Sequence, residues 1–163
     1  MTVIAVKIDK KEITIGADSL LLRGDVCDSR CVKIFQTNGI ILGTAGYYSD
    51  LILFYIFCKT HVPKTPTDDG LIDFMSEYYD WMKKKTDQKE FDDSIKIFIY
   101  KKKVFYINGF EVMVIKKYGA IGSGKKYALT ALHLGNSVKE SLKVASYFNP
   151  YCGAPFTIIK IKR

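Results

Sequence analysis

The sequence offers little to metal or disulfide chemistry. It has only two histidines, His61 and His133, and four cysteines, Cys27, Cys31, Cys58 and Cys152. Cys27 and Cys31 stand close together, but no second pair at ligand spacing completes a zinc site, so no metal and no cofactor is expected. The thiols fit a reducing, cytoplasmic compartment. The apolar run at 51–58 falls short of the about 20 residues a membrane-crossing helix needs, and the first residues alternate like a strand, unlike a signal peptide. With four prolines and no low-complexity tract, the only linker-like stretch is 60–70, holding Pro63, Pro66 and Asp68-Asp69-Gly70. A single domain over 1–163 is the expectation, with enough apolar residues to bury one core.

What is abundant is lysine. Lys and Arg exceed Asp and Glu by 25 to 17, for a net charge of +8. The excess is scattered in short groups, at 83–85, 101–103, 116–117, 125–126 and the tail, without a nucleic-acid-binding motif. It reads as solvated surface charge at helix ends and turns, with no nucleic-acid or membrane partner.

Hydrophobic periodicity then sets the order of elements. Residues 2–8 and 12–17 around Asp9-Lys10-Lys11 predict a hairpin, as do 34–36 and 40–44 across Thr37-Asn38-Gly39. Helices are predicted at 49–60 and 69–85, the second carrying Leu71, Phe74, Met75, Tyr78, Trp81 and Met82 on one stripe. Strands follow at 95–100, 104–107 and 111–115, the last two joined at Asn108-Gly109, then a glycine-rich bend at 119–124. Helices at 125–134 and 137–148 and a strand at 156–162 complete the chain. Strand groups alternating with helix pairs predict an α+β fold, two sheets face to face with helices outside, in a four-layer αββα sandwich.

Position 2 carries the chemistry. Thr2 follows Met1, and removal of Met1 would leave an N-terminal threonine. Its hydroxyl is a weak nucleophile, but its own α-amine, with an ordinary pKa of about 7.7–8.0 against about 10.4 for lysine, is a base suited to neutral pH.

Six features occur in order along the chain: Thr2; Ala17-Asp18 after the first hairpin; Lys33-Ile34-Phe35; Gly43-Thr44-Ala45-Gly46; the 119–124 glycine segment; and 145–153. Together they resemble the proteasome β-subunit and bacterial HslV peptidase family of N-terminal-nucleophile hydrolases. The resemblance implies that Thr2 attacks the scissile carbonyl, that Lys33 stays charged beside it and that Asp18 holds Lys33. It further implies that the Gly46 N–H donates to the oxyanion and that Ser123 completes the network at the Thr2 amine. Asn149 and Cys152 support the site from positions where the family carries aspartate and serine. Cys31 and Thr44 line the substrate pocket, whose neutral walls imply apolar residues before the scissile bond.

The same resemblance implies stacked rings built by self-assembly, unfolded polypeptide as substrate, and an AAA+ unfoldase ATPase as partner. Two other readings compete. One is a catalytically silent ring subunit. The other is a nucleotide-binding loop, since residues 119–125 satisfy G-x-x-x-x-G-K, although Lys126 stands where a Ser or Thr would hold magnesium.

Overall fold

The computed structural model describes residues 2–23, 26–28, 31–86 and 94–163, with side chains for all of these except 22–23 and 26–28. Met1 and the side chain of Cys27 therefore lie outside the described residues. In chain order the first half comprises β1 (Val3–Ile8), β2 (Glu12–Asp18), β3 (Leu21–Arg23), β4 (Val26–Asp28), β5 (Ile34–Thr37), β6 (Ile40–Ala45), α1 (Tyr48–Cys58) and α2 (Asp68–Thr86). The second half comprises β7 (Ile95–Tyr100), β8 (Lys103–Asn108), β9 (Glu111–Val114), β10 (Tyr118–Gly122), α3 (Lys125–His133), α4 (Val138–Phe148) and β11 (Phe156–Lys162).

Strand alternation produces the layers. In β7, Ile97 and Ile99 face one way while Phe98 and Tyr100 face the other, because successive side chains of a strand leave opposite sides of the sheet. The isoleucines meet Ile4, Val6, Ile13 and Ile15 from β1 and β2, which closes the interface between a sheet ordered β10-β1-β2-β11 and one ordered β5-β6-β7-β8-β9. All ladders in both sheets are antiparallel. Outside the five-stranded sheet, Phe54 and Phe57 of α1 and Phe74 and Tyr78 of α2 pack on Phe98 and Phe105. The rings of Phe54 and Tyr78 meet edge to face at 4.8 Å. Each such side chain contributes about 1.5–3 kcal/mol on burial, so this face is the largest apolar anchor of α1 and α2. On the other flank, Ala128, Leu132, Leu142 and Ala145 of α3 and α4 cover Val3 and Ala5. The four layers are those expected.

Two local expectations are corrected. Residues 119–124 do not form only a bend: residues through Gly122 are strand β10, paired with β1 from Val3↔Gly122 to Lys7↔Tyr118. Glycine ordinarily interrupts a strand, but here it permits close approach, since a Cβ on Gly119 would lie 2.8 Å from Ile115. A two-stranded ribbon of β3 and β4 also follows β2, where no strand was predicted.

The register brings one end of every long strand together. Ile4 pairs with Ala17, Asp18 with Phe156, Val3 with Gly122 and Ala45 with Ile95. The segment holding Thr2 thus emerges between the ends of both sheets.

Candidate active site

Asp18, the last residue of β2, is fully buried and accepts four hydrogen bonds. Its Oδ1 takes the Val3 N–H at 2.8 Å and the Lys33 ammonium at 2.9 Å. Its Oδ2 takes the Leu20 and Gly153 N–H groups, each at 3.2 Å. Lys33, 3% exposed and one residue before β5, also donates to the Leu20 carbonyl. A buried ion pair is tolerated only when further hydrogen bonds satisfy it, and this one is so satisfied. Asp18 and Lys33 are thus paired with each other at the end of β2.

Thr2 is held by its backbone. Its nitrogen donates to Ser123 Oγ at 3.3 Å, and its carbonyl accepts from Ser123 Oγ at 3.3 Å and from the Gly124 N–H at 3.2 Å. That nitrogen is an amide while Met1 is attached and would be the α-amine once Met1 is removed. Ser123 Oγ also lies 3.7 Å from Cys152 Sγ. Burial pushes the Cys152 thiol up, with the Ser123 hydrogen bond opposing, so it acts here as a neutral group.

Asn149 is brought less directly to this network. Its Oδ1 accepts the Tyr151 N–H at 2.9 Å, a local turn after α4, and Cys152 is the residue of this loop that reaches Ser123. Within the 119–124 segment, Gly122 has a part of its own beside Thr2. At φ +91° it occupies a conformation that favours glycine, and a Cβ there would collide with the Thr2 carbonyl.

Two concavities meet at Thr2 and Gly46. One, of about 20 Å³, is lined by Thr2, Cys31, Lys33, Thr44 and residues at the start of α1. The other, of about 240 Å³, is lined by Thr2, Gly46, Ile95, Ser123 and Lys125. The structure thus gathers Thr2, Lys33, Gly46, Cys31 and Thr44 around a single narrow cleft. Thr44 Oγ1 is buried with no hydrogen-bond partner among the described residues. Behind the cleft, Lys96 is fully buried, paired across the ladder with Thr44, and donates to the Ser94 carbonyl and hydroxyl at 3.0 and 2.8 Å. A lysine next to Ile95 and Ile97 looks in sequence like an outward strand position; only its place on the face of Phe98 signals burial.

The glycine segment is occupied by protein. A Cβ on Gly124 would sit 2.8 Å from Cys152 Sγ and 2.9 Å from Val3 Cβ, and the Gly124 N–H already serves the Thr2 carbonyl. Gly122 and Gly124 are explained by close approach to Thr2, Val3 and Cys152, and Gly119 by Ile115. The parallel strand and crossover helix on which a phosphate loop is built do not occur among the described residues.

An antiparallel αββα sandwich with a threonine leading into its first strand is the N-terminal-nucleophile hydrolase fold. Solved structures share it: Thiobacillus denitrificans BPH in complex with epoxomicin has a TM-score of 0.87 at 16% identity, over 98% of this chain and 98% of that one. A second BPH structure from the same organism has a TM-score of 0.84 at 19% identity, over 98% and 97%. Eukaryotic HslV from Trypanosoma brucei has a TM-score of 0.70 at 14% identity, over 99% of both chains. No protein-family model and no curated protein matches the sequence. The fold is therefore that of HslV and BPH.

Proposed function

We propose that this chain is a threonine-type peptidase subunit of an HslV-like or proteasome-like assembly, acting through Thr2 once Met1 is removed. The observation that carries this reading is the Thr2 nitrogen on Ser123, at the meeting point of two cavities one of which Lys33 lines. The freed α-amine would take the proton of Thr2 Oγ1 as that oxygen attacks the scissile carbonyl. Lys33 would stabilise the forming alkoxide, and Gly46 would donate its N–H to the oxyanion, a contact typically worth about 10²–10³ in rate. The same amine would pass its proton to the departing amino group, leaving an ester for water to hydrolyse.

The smaller cavity, roomy enough for one or two waters on the general scale of about 10–15 Å³ each, would take a small uncharged side chain between Cys31 and Thr44. Assembly into stacked rings is supported by exposed apolar groups on the outer helices: Tyr147 is 84% exposed, and Phe148 and Leu134 are also open to solvent. Unfolded polypeptide, an AAA+ unfoldase and a cytoplasmic setting complete the proposal. No described helix is long and apolar enough to cross a membrane.

The competing reading, a silent ring subunit, is favoured by one observation: the Asn149 carbonyl is committed to Tyr151 and brings no carboxylate to Ser123. Intact mass after incubation with epoxomicin, the compound in the BPH complex, separates the two. The peptidase reading expects loss of Met1 and a covalent adduct that Thr2→Ala abolishes. Retained Met1, or a processed chain with neither adduct nor peptide hydrolysis, would establish the silent subunit.

A further inference from the structure

The strand ends opposite Thr2 enclose a third concavity, of about 400 Å³. Its floor includes Ile99, Ile159 and Ile161, and its rim includes Lys101, Lys102 and Lys162. The floor exists because β11 is an edge strand: Ile159 and Ile161 point into the sandwich interior but are only half-buried, so the layer between the sheets is open at this end.

The rim is built against local preference. Tyr100 pairs with Lys103, leaving Lys101 and Lys102 as a two-residue turn with φ of +46° and +63°. The neighbouring hairpin, closed by Thr37 and Ile40, has the same left-handed geometry but uses Asn38 and Gly39, at +48° and +74°. Asn-Gly suits such turns and Lys-Lys does not. Strained non-glycine residues cluster where a ligand is clamped.

The charges around the groove are unevenly answered. Lys160 pairs with Glu12 at 3.0 Å, and the Lys101 ammonium lies 5.2 Å from the centre of the Tyr100 ring. Lys102 and Lys162 form no ion pair among the described residues. A purely hydrophilic anion would have no use for the isoleucine floor, and a cationic amphiphile would meet the lysines. The volume lies within the about 300–1,000 Å³ typical of small-molecule sites.

We infer that this groove binds an aliphatic carboxylate, its chain on Ile99, Ile159 and Ile161 and its headgroup at Lys102. Nothing in this inference depends on the chemistry of Thr2.

The test is calorimetric titration of the whole protein with decanoate below its micelle concentration, beside decyltrimethylammonium. Saturable decanoate binding is expected, about tenfold or more tighter than the cation, since charge-assisted hydrogen bonds are the strong ones. The double variant Lys101→Asn/Lys102→Gly removes two ammonium groups while giving the turn its preferred residues. It should melt at a higher temperature than wild type and bind decanoate at least about tenfold more weakly. Absence of saturable decanoate binding, equal affinity for the two amphiphiles, or undiminished binding by the better-folded double variant would each overturn the inference.

Discussion

Ser94 stands where a side chain on Gly46 would have to go: an added Cβ would lie 2.5 Å from Ser94 Cβ and 2.9 Å from Ser94 Cα. The crowding comes from the protein wall behind Gly46. Gly46→Ala should therefore shift the backbone at this position, costing about 1–3 kcal/mol as overpacking does. Peptide turnover should fall by about 10²–10³ if the N–H leaves its oxyanion position. Thermal melting and a fluorogenic peptide assay check both parts. Wild-type turnover in this variant would remove Gly46 from the proposed mechanism.

Thr2→Ala and Lys33→Ala should both abolish hydrolysis, yet differ in stability. Lys33 is buried against Asp18, and its loss strands a carboxylate, a change that typically costs about 3–5 kcal/mol. Thr2 is buried at the narrow cleft, and Thr2→Ala removes one hydroxyl, which should cost about 0.5–1.5 kcal/mol. Denaturant titration of the two variants gives the comparison; equal midpoints would contradict the assigned burial.

Asn149 is buried, so Asn149→Asp keeps an oxygen acceptor for the Tyr151 N–H but takes a charge out of water, and should cost more than about 1 kcal/mol. Asn149→Leu leaves that N–H without its side-chain partner and should cost about 1–3 kcal/mol. If the missing carboxylate limits catalysis, Asn149→Asp also raises turnover. The check is one melting series and one peptide assay on the same two variants.

Alkaline pH should weaken the fold through its thiols. Burial raises the pKa of both Cys58 and Cys152 above the ordinary 9.0. Below about pH 9 folded and unfolded thiols are both protonated and the contribution is constant. Above it the unfolded thiols ionise while the buried ones hold their protons, so stability falls by up to about 1.4 kcal/mol per pH unit for each thiol until the folded value is reached. Urea unfolding from pH 8 to 10.5 should show a shallower decline in Cys58→Ala than in wild type.

The layers could be read from the sequence because stripes on α2 and the strand-like runs of β1, β2 and β7 have periods that follow from which face is covered. Strand β10 was obscured because Gly119 and Gly122 signal a bend locally, while their purpose is proximity to Ile115 and Thr2, which only the tertiary structure supplies. The ribbon of β3 and β4 spans three residues a side, too short for a period to show. At the site, Asp18 and Lys33 gain meaning only from each other at 2.9 Å, across 15 positions of chain. No local pattern reveals that distance, and the family resemblance substituted for it. Ser94 and Lys96 belong to no motif, so their place behind Gly46 and Thr44 could not be anticipated.

The four hydrogen bonds converging on Asp18 give this residue two constituencies. One is chemical, through Lys33; the other is mechanical, because the same carboxylate ties the start of β1 to Leu20 and to the loop at Gly153. Selection for mere assembly would therefore preserve Asp18 and Lys33 in a copy that had ceased to cut anything. Decay of activity in such a lineage would be written first at the Thr2 hydroxyl, whose loss strands no buried charge.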